Sequence, residues 1–139
     1  MAKHEPITGR YVYLTVEDVE YRVYYEEAGQ GIPLIVGHTA GSDGRQYRHL
    51  LNDPEVTSRY RVIAFDLPFH GKSLPPHGDK WWTREYNMTK SRMMAFPNAL
   101  SEALELDRPV YMGSSMGGHL AIDLASNFPE AYRATISVE

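Results

Sequence analysis

Three short, unbroken apolar runs constrain this chain more than any other feature: Leu34-Ile35-Val36, Val62-Ile63-Ala64-Phe65 and Val110-Tyr111-Met112. A strand with one wet face alternates apolar and polar residues, whereas a run without polar members has both faces covered, as in a parallel sheet between helices. The segments between and after the runs carry helical spacing. Tyr47, Leu50 and Leu51 predict a short helix after the first run. Met93, Phe96, Leu100, Ala103 and Leu104 recur at three- and four-residue steps, with Pro97 either bending that helix or marking its start. Gly117, Leu120, Ala121, Leu124 and Phe128 predict an amphipathic helix closed by Pro129, and an apolar strand follows over Ala134 to Val138.

Ahead of the runs, Tyr11–Val16 and Val19–Glu26 do alternate, and Glu17-Asp18 separates them. Val12, Leu14 and Val16 share one face, as do Val19, Tyr21, Val23 and Tyr25, which predicts an antiparallel hairpin. The fold class is therefore α/β: a mostly parallel sheet with an antiparallel N-terminal hairpin, flanking helices and right-handed crossovers. Leu74 to Asn87, rich in Pro, Gly and Trp, is the one long irregular stretch. No repeat or linker divides residues 1–139, so one domain is expected.

Composition narrows the partners. The net charge is -4 and the 14 basic residues are scattered, which argues against nucleic acid. No apolar stretch approaches the length of a membrane span, and Met1 to Arg10 is too polar for a secretory signal, so a cytoplasmic location is the expectation. With no cysteine and no ligand spacing among His and carboxylate residues, neither a metal nor a cofactor is expected.

Gly113-Ser114-Ser115-Met116-Gly117-Gly118 joins a buried strand to an amphipathic helix. In that context Gly-x-Ser-x-Gly describes a nucleophile elbow: the turn is so tight that residues two before and two after the serine must lack side chains. Ser115 satisfies the spacing; Ser114 does not, because Met112 and Met116 flank it. A dinucleotide loop fits less well, since the glycines do not make Gly-x-Gly-x-x-Gly. Upstream, Gly37-His38-Thr39-Ala40-Gly41 leaves the first apolar run. An elbow needs a second backbone N–H from such a loop, and Ala40 and Met116 are the two candidate oxyanion donors, with Thr39 as the alternate. His38 either meets substrate with Thr39 or braces the loop. Trp81, Trp82 and Tyr86 either line a substrate pocket or fill the core beneath their loop.

Asp66-Leu67-Pro68-Phe69-His70-Gly71-Lys72-Ser73 follows the second run. With the His-containing loop before it and the Gly-x-Ser-x-Gly-Gly turn after it, the chain from about Gly9 to Glu139 resembles the α/β-hydrolase superfamily, among its esterase, lactonase, haloperoxidase-like and carbon–carbon-bond hydrolase members. It departs at Thr39, where the usual loop has Gly. The resemblance implies a serine hydrolase acting on a small ester-like substrate, with Asp66 and His70 structural and a triad in the order Ser, acid, His. Only His119 follows Ser115, in the same helix, so the triad histidine is expected outside these residues and the chain to be the N-terminal part of a longer hydrolase. Glu139 is either the acid after the sixth strand or a charge that merely ends it. The open sheet edge favours a homo-oligomer or a complementing chain. The alternative is a non-catalytic module of the same fold that binds a ligand or partner.

Overall fold

The computed structural model describes residues 1–139. Strands β1 (Thr8–Val16), β2 (Val19–Ala28), β3 (Ile32–Gly37), β4 (Tyr60–Phe65), β5 (Val110–Ser114) and β6 (Ala134–Val138) form one sheet in the order β1-β2-β4-β3-β5-β6. The hairpin pairs Val16 with Val19 across Glu17 and Asp18, both at positive φ (51° and 60°), the backbone that a tight turn of matching twist requires. β2 pairs antiparallel with β4; β3 pairs parallel with both β4 and β5, and β5 with β6. The three apolar runs thus form the middle of the sheet.

Alternate residues of those strands feed two cores. Ile35, Ile63, Phe65 and Tyr111 face helices α3 (Lys90–Ala103) and α4 (Met116–Asn127). Leu34, Val36, Val62, Ala64 and Val110 face Leu51 of the short helix α1 (Arg48–Leu51), with Val56 of α2 (Pro54–Thr57) packed alongside. Ile35, Val36 and Ile63 are wholly buried, each contributing roughly 1.5–3 kcal/mol of burial free energy.

Several strands run a few residues beyond the sequence reading, and two differences have a clear cause. β1 starts at Thr8 rather than Tyr11, because the ladder to β2 extends to the Thr8 pairing with Glu27 although Thr8, Gly9 and Arg10 are exposed. α3 runs through Pro97 instead of starting there: Thr89 caps it, accepting from the Arg92 N–H, and Pro97 lies buried between Phe96 and Leu100. Burial of that face offsets the missing hydrogen bond, a loss of about 3 kcal/mol in an exposed helix. β6 lies at the sheet's edge with Ile136 and Val138 each 44% exposed.

Candidate active site

The chain steps from β3 to β4 on one side, then crosses back to β5 on the other. The helix after β3 packs on one face of the sheet and the helix after β5 on the opposite face. Loops leaving adjacent parallel strands toward opposite faces open a crevice at the strands' C-terminal ends, where ligands bind in open α/β sheets. Gly37 pairs with Gly113, so the His38–Gly41 loop and the Ser114–Met116 turn rise side by side from that crevice.

Ser115 occupies the tip. Its backbone is at φ 52°, ψ -113°, outside the regions a side chain ordinarily tolerates, and the residue is exposed. The surroundings hold it there. Its N–H donates to the Val138 carbonyl at 2.9 Å, and its carbonyl accepts from the His119 N–H at 2.9 Å. The two flanking glycines are required by contact: a Cβ on Gly113 would strike the Gly117 backbone, and one on Gly117 would strike the Gly37 carbonyl. Met116 is the first residue of α4, so its N–H has no acceptor within the helix and points toward the crevice end.

In the facing loop, the Thr39 N–H already donates to Gln46 Oε1 at 2.9 Å. The N–H groups of Ala40 and Gly41 have no partner in the chain, and Ala40 is exposed. Gln46 lies in the turn Gly44–Tyr47, and sequence spacing gave no sign that it would occupy the alternate donor.

His38 is placed under the loop rather than in it. It is 1% exposed, and both ring nitrogens are engaged: Nδ1 lies 2.8 Å from the Thr39 carbonyl, and Nε2 accepts from the Leu67 N–H at 3.1 Å. An amide N–H can only donate and a carbonyl can only accept, so Nδ1 carries the proton and the ring is neutral. The expectation that His38 meets substrate is therefore corrected, since no polar atom is free to do so. Burial lowers its pKa from the ordinary value of about 6.5. A depressed histidine contributes stability that is full above the unfolded value and is lost as pH falls below it toward the folded one. Urea unfolding of the wild type should therefore weaken between about pH 7 and pH 5 more steeply than that of a His38→Gln variant; equal slopes would show that His38 does not carry the effect.

Asp66 is likewise structural. Its Oδ1 accepts from the Gly44 N–H at 2.7 Å and its Oδ2 from the Lys72 N–H at 2.8 Å, while its carbonyl accepts from Ser73 Oγ at 2.7 Å. Asp43 caps the loop's turn, and the Arg45 guanidinium that grips it holds its carboxyl below the usual range. The His70 ring packs 5.0 Å from that of His38, with Nδ1 at 3.0 Å from the Pro68 carbonyl.

No histidine side chain hydrogen-bonds Ser115. His119, one turn into α4, is exposed. Glu139 follows Val138, which pairs with Ser114, so it stands beside Ser115 at the same sheet edge. Trp81, Trp82 and Tyr86 remain 49%, 66% and 52% exposed, which corrects the core-filling alternative. They line a cleft of about 560 Å³, but Ser115 is not among its lining residues.

The family model described as alpha/beta hydrolase fold matches residues 32–139. The chain belongs to the α/β-hydrolase fold family. It is 31% identical over 129 residues to a 2-hydroxy-6-oxononadienedioate/2-hydroxy-6-oxononatrienedioate hydrolase of Burkholderia vietnamiensis, covering 91% of this chain and 42% of that protein. It is 30% identical over 128 residues to a 2-hydroxy-6-oxo-6-phenylhexa-2,4-dienoate hydrolase of Comamonas testosteroni, covering 88% and 42%. Among solved structures, an N-acyl homoserine lactonase complexed with N-hexanoyl homoserine superposes with a TM-score of 0.73 at 29% identity, over 93% of this chain and 44% of the other. An epoxide hydrolase from an endophytic Streptomyces reaches 0.76 at 21%, over 96% and 37%, a likeness of fold. The α/β-hydrolase chain thus spans about two fifths of the length of the curated relatives it matches. No helix in it is long and apolar enough to cross a membrane.

Proposed function

We propose that these residues form part of a single serine-hydrolase domain in which Ser115 is the nucleophile. One observation carries the reading: an exposed serine at φ 52°, ψ -113°, between two glycines that tolerate no Cβ, at the crevice where the loops diverge. Keeping a non-glycine residue there costs on the order of 1–3 kcal/mol, which a mere connecting turn would have no reason to sustain.

Ser115 Oγ attacks the substrate's carbonyl carbon and passes its proton to a general base. The carbonyl oxygen becomes an oxyanion held by the N–H groups of Ala40 and Met116. Collapse expels the leaving group with a proton returned from the base, and water then hydrolyses the acyl-serine by the reverse sequence. The base is a histidine outside these residues, consistent with relatives more than twice as long and with no histidine side chain here bonded to Ser115. Glu139, beside Ser115, is the acid that would orient it. On this reading the outer edge of β6 is where the next strand joins, from this polypeptide or a second copy.

The substrate class is a small ester, lactone or comparable acyl compound. The relatives' names support it: a 6-oxo acid and a lactone both present an electrophilic carbonyl. The absence of a histidine side chain bonded to Ser115 favours one other reading, a module of this fold that binds without turnover. Incubation with a 4-nitrophenyl ester in the presence of imidazole, which stands in for the missing base, followed by peptide mass mapping separates the two. Acyl groups should accumulate on Ser115; acylation confined to other hydroxyls, or none at Ser115 under any condition, would sink the nucleophile assignment.

A further inference from the structure

Beyond the sheet ladder, four hydrogen bonds tie down the backbone of Gly37 and Thr39. Tyr47 Oη donates to the Gly37 carbonyl at 2.7 Å, and the Thr39 N–H donates to Gln46 Oε1 at 2.9 Å. The Thr39 carbonyl accepts from His38 Nδ1 at 2.8 Å and from the Ser42 N–H at 3.2 Å. Two of the four come from consecutive residues, Gln46 and Tyr47, of the turn Gly44–Tyr47. The N–H groups of Ala40 and Gly41 are left with no partner in the chain. A backbone N–H is a strong donor, so the loop offers an incoming acceptor these two groups and withholds that of Thr39.

The turn that supplies both side chains is itself anchored. Its Gly44 N–H is bound by Asp66 at the end of β4, Asp43 Oδ1 accepts from the Arg45 N–H at 3.0 Å, and the Asp43 carbonyl accepts from the Gln46 N–H at 3.1 Å. Gln46 is exposed, but its amide has one orientation, because the Thr39 N–H can only donate and so selects the oxygen. Tyr47 is half-buried, and burial pushes its phenol above the ordinary value, so its O–H stays a donor. The backbone of Ser114, next to the nucleophile, faces the same phenol oxygen. The carbonyl that Tyr47 grips is also the one that α4 approaches so closely that Gly117 admits no Cβ. A shift of Gly37 is therefore a shift of the His38–Gly41 loop against Ser115.

We infer that Gln46 and Tyr47 are positioning residues: together they set the His38–Gly41 loop so that the Ala40 N–H, rather than that of Thr39, meets the oxyanion. This role in the chemistry rests on Ser115 being the nucleophile; the restraint on the loop does not, and is read separately. Gln46→Met keeps the side-chain length without an amide oxygen, and at an exposed position it leaves the core intact. Exchange of the Thr39 amide hydrogen with solvent, followed by NMR, should quicken about five-fold in this variant. It should stay at the wild-type rate in Gln46→Glu, which keeps an acceptor. The chemistry is read from imidazole-supported acylation of Ser115 by 4-nitrophenyl acetate and by its thiono counterpart, whose sulfur gains little from N–H donors. The oxygen-to-sulfur rate ratio cancels any change in folded fraction or serine exposure, and should fall about five-fold in both Gln46→Met and Tyr47→Phe. Unchanged Thr39 exchange in Gln46→Met would overturn the restraint, and an unchanged ratio in both variants would overturn the positioning role. Faster exchange without any acylation of wild-type Ser115 would support the restraint and overturn the nucleophile reading alone.

Discussion

Gly117→Ala should destabilise the protein by at least ~3 kcal/mol, measured by urea unfolding, although alanine is the better helix former by about 1 kcal/mol. The sign is decided by what the new methyl would meet. The obstacle is the Gly37 carbonyl, with the His38 carbonyl 3.1 Å away, and both belong to backbone at the end of β3 rather than to a side chain that can swing aside. The sheet and α4 must separate, which also moves Met116 and the His38–Gly41 loop relative to Ser115. Gly41→Ala is the control. Nothing lies within 4 Å of its new methyl, and only the φ of +68° is unfavourable, so the loss should be about 1 kcal/mol. Equal losses at the two positions would show that the close approach of α4 to β3 is not what Gly117 serves.

Asp66→Ala should cost ~3–5 kcal/mol, since two backbone N–H groups lose a charged acceptor at about 1.5–3 kcal/mol each. The Gly44 N–H is buried and cannot turn to water, and the Lys72 N–H anchors the turn that carries Phe69 and His70. Asp66→Asn keeps one acceptor oxygen and presents an NH₂ where an acceptor is needed, so an intermediate loss is expected, again by urea unfolding. A loss below 1 kcal/mol for Asp66→Ala would mean that the two loops are held by other contacts.

How far the sequence could be read depended on whether a feature was local. The apolar runs and the alternation before them were sufficient for the parallel middle and the hairpin, because side-chain periodicity reports which faces are covered. The Gly-x-Ser-x-Gly spacing likewise encodes its own geometry. The placement of β2 beside β4, the persistence of α3 through Pro97 and the occupation of the Thr39 N–H by Gln46 all depend on partners distant in sequence. His38 shows the same limit. Its residue type fits a ligand contact or a brace equally well, and only the two hydrogen bonds to Thr39 and Leu67 decide. Trp81 and Trp82 were ambiguous between core and cleft because apolar character does not say which side of a loop is wet.

The most direct test of the central claim is labelling of the chain by a fluorophosphonate across an imidazole series, with the modified residue located by peptide mass mapping. Ser115 is exposed and no histidine side chain is bonded to it, so a free imidazole base can stand in for the missing proton acceptor. The account predicts labelling at Ser115 whose rate rises with imidazole and vanishes in Ser115→Ala. Labelling that proceeds at the same rate in Ser115→Ala, with the probe on another residue, would contradict it.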